Sequence, residues 1–188
     1  MSDRLTRRQF LKRSSLLGAG VALTASGLAR VSLGLPERVA APRPADLAIA
    51  HGPSPAENAI AAVRALGGLE RFVRKGDRVV VKPNPGGTAP PEMGICTHPL
   101  LIEAVIRECY RVGAAEVIAL SRDNPRWIER NGTLAAVERA GARFVIPEKR
   151  SRFRKVLLPK DSALKWDTFS IDVLDADVFI NLPIMKHH

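Results

Sequence analysis

The sequence predicts an α/β domain: a mostly parallel sheet with flanking helices in Rossmann-like layering, a small accessory β-hairpin, and an incomplete end. Three observations predict it. Four short runs, Val79-Val80-Val81, Val117-Ile118-Ala119-Leu120, Phe144-Val145-Ile146 and Val178-Phe179-Ile180, are continuously apolar, as strands buried on both faces are. Capped helical patterns precede the first run and separate it from the second and third. The resulting strand-helix-strand order is that of right-handed crossovers, which build a parallel sheet with helices on both sides.

Each element carries its own signal. Ser54-Pro55-Ala56-Glu57 combines a capping box with proline at the first helical position, ahead of Ile60, Val63, Ala65 and Leu66, and Gly67-Gly68 ends that helix. Thr97-His98-Pro99 opens a second helix, in which Leu101, Val105, Cys109 and Val112 share a face. Glu103, Arg107 and Arg111 form the opposite charged row at i, i+4 spacing, and Gly113 closes the helix. Asp123-Asn124-Pro125 starts a third helical stretch, broken at Asn131-Gly132 and recapped by Thr133 before Leu134 to Ala140. Lys155 to Leu158 and Phe169 to Val173 read as a hairpin connected through Pro159 to Asp167. The last apolar run is followed only by Pro183-Ile184-Met185-Lys186-His187-His188. A buried strand there leaves its neighbour unspecified, so the chain is expected to belong to a longer protein; an edge strand with a frayed tail is the alternative.

The amino terminus reads as an address. Thr6-Arg7-Arg8-Gln9-Phe10-Leu11-Lys12 and Arg13 precede a Gly- and Ala-rich apolar run, Leu16 to Leu28, too short and too weakly apolar for a stable bilayer span of about 20 residues. The arginine pair Arg7-Arg8 followed by Phe10 and Leu11 resembles the twin-arginine (Tat) export signal, which is read by a receptor. Residues 1–41 are accordingly assigned to the signal and the start of a linker, and 42–188 to the α/β domain. Small residues at Gly27 to Ala29 and at Ala40-Ala41 leave two cleavage points open. The resemblance implies the Tat machinery as a partner and a periplasmic or other extracytoplasmic destination, with membrane anchoring only if the signal stays uncleaved. It also implies export in the folded state, which permits a cofactor inserted beforehand.

Composition limits the function. A chain of 188 residues with 46% hydrophobic and 26% charged residues fits one globular domain and excludes collagen, a disulfide knot or a multispan membrane protein. The formal charge of +10 raises the question of nucleic acid. Half of that excess lies in residues 1–41, and an exported protein rarely meets nucleic acid. The run Glu148-Lys149-Arg150-Ser151-Arg152-Phe153-Arg154-Lys155 suits a solvated loop or a hairpin edge guarded by charge. Cys109 falls about 16 Å along a helix starting near His98, beyond disulfide reach of Cys96, so both thiols are read as free. Two cysteines also cannot supply the four thiolates of an ordinary iron–sulfur cluster, and the cofactor is left unknown.

Chemistry in an open parallel sheet sits beyond the carboxyl ends of the strands. Polar residues gather there in the sequence: Lys82 and Asn84 after the first run, Ser121 and Asp123 after the second, Asn181 and then Lys186, His187 and His188 after the fourth. Lys82 abuts three valines, where its ammonium needs water, a carboxylate or an anionic ligand; a snorkelling lysine is the plainer alternative. Asn84 stands between two prolines, and Thr97 marks a helix start that attracts anions or acts simply as a cap. Gly86-Gly87-Thr88 has neither P-loop nor dinucleotide spacing. Adjacent histidines on an extended segment point opposite ways, so no metal site is assigned. Ser121, His98 and Asp123 match a hydrolytic triad in composition only, with no Gly-x-Ser-x-Gly elbow.

Three blocks together resemble the DUF362 family of uncharacterised proteins: Gly76-Asp77-Arg78-Val79-Val80-Val81-Lys82-Pro83-Asn84, Cys96 to Val105 with Gly113-Ala114, and Ala176 to His188. The last is similar to the family's Asn-x-Pro-x-x-Lys-x-His signature and places Asn181, Pro183, Lys186 and His188 on its marked positions. Some members carry ferredoxin-like iron–sulfur modules; the cysteine motif of those modules is absent from this chain. Members continue past the signature, which the resemblance extends to this protein. The reading that follows is an anion- or cofactor-binding cleft lined by Lys82, Asn84, Thr97, Asp123, Asn181, Lys186 and His188, with an anionic small molecule or a redox partner as ligand. A non-catalytic extracytoplasmic binding module and an inactive fragment are the alternatives.

Overall fold

The computed structural model describes residues 45–164 and 167–186. The export residues Arg7, Arg8, Phe10 and Leu11, and the site residue His188, lie outside the described residues. In chain order the elements are helix α1 (Pro55–Ala65), strand β1 (Arg78–Pro83), helix α2 (Pro99–Arg111), strand β2 (Glu116–Leu120), helices α3 (Pro125–Arg130) and α4 (Thr133–Arg139), and strand β3 (Arg143–Val145). Strands β4 (Phe153–Lys155) and β5 (Thr168–Ser170), helix α5 (Ile171–Leu174) and strand β6 (Val178–Leu182) follow.

The four apolar runs form one parallel sheet in the order β3-β2-β1-β6. The central valines Val79, Val80 and Val81 are all fully buried, which explains why their run shows no alternation. Side chains still alternate between faces. Val79, Val81, Val117 and Ala119 pack against Ile102, Val105, Ile106 and Cys109 of α2, Val137 of α4, and Ala59 and Val63 of α1. Val80, Ile118 and Leu120 point the other way and pack against Val145, Val173 and Ala176. The three longest helices therefore contribute to one face, and the short α5 covers part of the other.

Local signals place most helix starts. Ser54 Oγ accepts from the Glu57 N–H at 3.3 Å, and Asn124 Oδ1 accepts from the Arg126 N–H at 3.0 Å. Three details differ from expectation. His98, not Thr97, caps α2, its Nδ1 accepting from the Leu100 N–H at 3.2 Å. Gly132, at φ 81°, precedes α4, and Thr133 is its first residue, with its N–H held by Asn131 Oδ1 at 3.0 Å. The buried stripe of α2 runs through Ile102, Val105, Ile106 and Cys109, while Leu101 and Val112 only pack at its margin.

The hairpin is the fourth difference. β4 pairs antiparallel with β5 from Phe153↔Ser170 to Lys155↔Thr168, starting at Phe153 within the basic run and not at Lys155 as expected. Ile171 to Val173, expected to be extended, form α5. The cause is Asp172, which is 1% exposed. It accepts from Arg152 Nη2 on both carboxylate oxygens, from Arg78 Nη2 at 3.4 Å and from Ser170 Oγ at 3.3 Å. A buried carboxylate needs such partners, and satisfying them outweighs the two-residue periodicity. Arg154 and Lys155 pair with Asp175 and Asp167 at 2.6 and 3.0 Å. Three of the five basic side chains of the run, Arg152, Arg154 and Lys155, thus pair with aspartates of the following segment.

Candidate functional site

The chain steps outward from β1 through β2 to β3 and then returns to the other side of β1 as β6. Strand order reverses between β1 and β6, and ligands in open α/β sheets bind at such a switch point, beyond the strand ends. The tips meeting there are Lys82-Pro83-Asn84 and Asn181-Leu182-Pro183. Lys82 is the ladder neighbour of Asn181, and Pro83 of Leu182.

Thr97 joins the two tips. Its Oγ1 accepts from the Asn84 N–H at 3.0 Å and donates to the Leu182 carbonyl at 2.6 Å, while its own N–H donates to the Asn84 carbonyl at 2.9 Å. The Asn84 amide donates to the Ile95 carbonyl at 3.0 Å, and Lys186 Nζ donates to the same oxygen at 2.7 Å. Gly86 lies under that carbonyl at φ 54°, so close that an added Cβ would stand 2.3 Å from the oxygen. Only glycine suits both the backbone angle and the approach. Across the loop, the buried Asn131 amide donates to the carbonyls of Pro85 at 2.5 Å and Gly87 at 3.0 Å. The loop from Pro85 to Cys96 is therefore closed at its neck and pinned in its first half.

These bonds sort the predicted site residues. Lys82, Asn84, Thr97, Asn181 and Lys186 come together at the tips of β1 and β6. Within that group, Asn84, Thr97 and Lys186 hold the loop, and the Thr97 hydroxyl proton is directed at Leu182. Asp123 stands apart at the end of β2, accepting from Ser121 Oγ.

Two cavities flank the tips. One, of about 600 Å³, is lined by Cys96, Thr97, His98, Leu101, Asn181 and Ile184, among others. It offers little for nucleophilic chemistry. Burial pushes the Cys96 thiol up from its ordinary value, which disfavours the thiolate. His98 Nδ1 is engaged as the cap of α2, leaving Nε2 as the donor of the neutral ring. Burial likewise pushes Cys109 up to about 12. Two buried thiols, one inside the α2 core, do not fit an iron–sulfur cluster.

The second cavity, of about 450 Å³, lies between the sheet and the hairpin and is lined by Lys82, Ser121, Arg122, Phe153, Phe169 and Phe179, with Leu120 and Val173 among others. Lys82 is half-buried, and its Nζ makes a single 3.4 Å contact, to the Pro83 carbonyl. Among the described residues it has no carboxylate partner. The Arg122 guanidinium lies 5.6 Å from the Phe153 ring centroid, a cation–π distance. Phe179 is 46% exposed although it belongs to a sheet strand. Sequence reasoning found Lys82 here and missed the three phenylalanines and Asn131. The phenylalanines come from three strands with no fixed spacing; the only signal at Asn131 was the Asn-Gly break before α4.

A family model described as a domain of unknown function, DUF362, matches residues 79–188, from β1 through the tips just described. The chain is 31% identical over 134 residues to Thylakoid-associated protein sll1697 of Synechocystis sp., an alignment covering 65% of this chain and 38% of that protein. The chain thus spans well under half the length of this curated relative. No solved structure matches the chain.

Proposed function

The chain belongs to the DUF362 family, and from that premise we propose that it is an exported binding protein whose cleft at the tips of β1, β2 and β6 takes an anionic ligand, with Lys82 as the charge that holds it. The observation that carries this reading is the half-buried ammonium with no carboxylate partner among the described residues, placed beside a strand-order reversal. A cation in that setting is underpaired until an anion arrives, and the partly dry surroundings strengthen the attraction. Asn84, Thr97 and Lys186 act by holding the loop that forms one side of the tips, and Asn181 by placing β6 beside Lys82. Asp123 contributes through Ser121, whose hydroxyl proton it accepts. His188, Tat export through Arg7, Arg8, Phe10 and Leu11, and a redox partner belong to the same proposal. Similarity to a thylakoid-associated protein supports a place near a membrane; among the described residues no helix is long and apolar enough to cross one.

Thermal unfolding in phosphate, citrate and 2-naphthoate, each against sodium chloride at equal ionic strength, tests the cleft. A ligand that binds only the folded state raises the midpoint in proportion to the logarithm of its concentration over Kd. At least one anion should stabilise the native protein and Lys82→Arg, but not Lys82→Met. Equal responses in all three proteins would overturn the reading.

A further inference from the structure

We infer that the cavity between the sheet and the hairpin is built for an aromatic anion: a flat, unsaturated ring system carrying one carboxylate, sulfonate or phosphate. This deepens the anion-binding reading and rests on it for the role of Lys82. A bare inorganic anion needs a few donors and no walls. Here an open cavity of about 450 Å³ is lined largely by apolar side chains, in the range of small-molecule sites, where apolar walls supply affinity and a few polar groups fix orientation. Three of the chain's six phenylalanines, Phe153, Phe169 and Phe179, line it, and aromatic pairs at van der Waals distance gain beyond the area they bury.

Phe179 is the most telling of the three. On the outer strand it pairs with the fully buried Val80, yet it is left 46% exposed beside the cavity, so an incoming ring has an aromatic surface to cover. Charge complements shape. The lining contains Lys82 and Arg122 and no acidic residue. Two carboxylates beside it already have partners, Asp123 in Ser121 and Asp172 in Arg152 and Arg78. Lys82 is the ladder neighbour of Asn181 and stands nearer the strand ends than Phe179, which pairs with Val80, so the ligand's acid group is placed toward the β1 tip with its ring over Phe179.

Isothermal titration of the full chain with 2-naphthoate, 2-naphthalenemethanol and inorganic phosphate separates ring from charge. The native protein should bind 2-naphthoate at least tenfold more tightly than either of the other two. Lys82→Met should erase the preference over the neutral alcohol while Lys82→Arg keeps it. Phe179→Ser, at a half-exposed position that leaves little void, should weaken 2-naphthoate at least tenfold, and Phe179→Tyr should restore it. Binding of phosphate as tight as that of 2-naphthoate, lost in Lys82→Met, would overturn the aromatic class and leave the anion site standing. Equal binding of acid and alcohol, indifferent to Lys82, or no binding of any of the three, would overturn both. Far-ultraviolet circular dichroism of each variant verifies that it is folded.

Discussion

The two faces of the sheet are made by the same strands and differ in almost everything else. On one face Val79, Val81, Val117 and Ala119 are sealed under α1, α2 and α4, with Ile102, Ile106 and Val137 at 0% exposure. On the other, three fully or nearly buried residues, Val80, Ile118 and Leu120, lie under a short helix and a three-residue-per-strand hairpin. The first face is closed mainly by apolar packing, with the Glu103–Arg139 ion pair tying α2 to α4 at its margin. The second is closed in part by a buried ion pair, leaving room for Lys82 and three phenylalanines around a cavity. Close packing is concentrated on one side and the cavity on the other, because a close-packed core leaves no space for one.

The largest effect that would sharpen this contrast is truncation of the sealed face. Ile106→Ala should cost about 2–5 kcal/mol of global stability by denaturant unfolding, whereas Phe179→Ala on the open face should cost less than about 1 kcal/mol, its ring being already half in water. Equal costs would mean that the faces are not energetically different. Next comes the ion pair that fastens the hairpin. Arg152 and Arg78 both reach solvent, at 37% and 31% side-chain exposure, so Asp172→Asn should cost about 1–3 kcal/mol, below the loss for a wholly buried pair. Hydrogen exchange should quicken in β4, β5 and α5 while the amides of α2 keep their protection.

The smallest effect is acidic. Burial works against ionisation of Glu103, yet hydrogen bonds from Arg107 and Arg139 more than compensate and hold its carboxyl below the ordinary value near 4.5. A folded-state pKa lower than the unfolded one stabilises the protein at pH above the unfolded value, and that contribution is lost as pH falls through the folded value. The denaturation midpoint should therefore drop below pH 4.5, and Glu103→Gln should flatten that part of the profile by removing the tie from α2 to Arg139 on α4. An unchanged profile in Glu103→Gln would show that the tie does not hold the sealed face.

Much of the sheet was legible in the sequence because burial on both faces leaves a continuous apolar run, and Val79 to Val81 could hardly be anything else. Lys82 was legible for the converse reason, as a charge where the run ends. The bonding of Thr97 was not: although it stood among the cleft candidates, beside His98-Pro99 it reads as a cap, and its bond to Leu182 spans 85 residues. Asn131 looked like a helix break because its partners, the carbonyls of Pro85 and Gly87, lie more than 40 residues back. The segment Phe169 to Val173 alternates like a strand, and nothing local says that Asp172 will be buried between two arginines from distant parts of the chain.

By itself, then, the amino-acid order determined which segments become strands of the parallel sheet, where most of the helices between them begin, the α/β class and the strand-tip location of the polar residues, since periodicity and capping act within a few residues. Tertiary structure alone decided that strand order reverses between β1 and β6, that Asn84, Thr97 and Lys186 close a loop, and that phenylalanines from three strands surround one cavity. Those outcomes depend on backbone bonds, an ion pair and packing between residues far apart in the chain, and such contacts leave no local pattern.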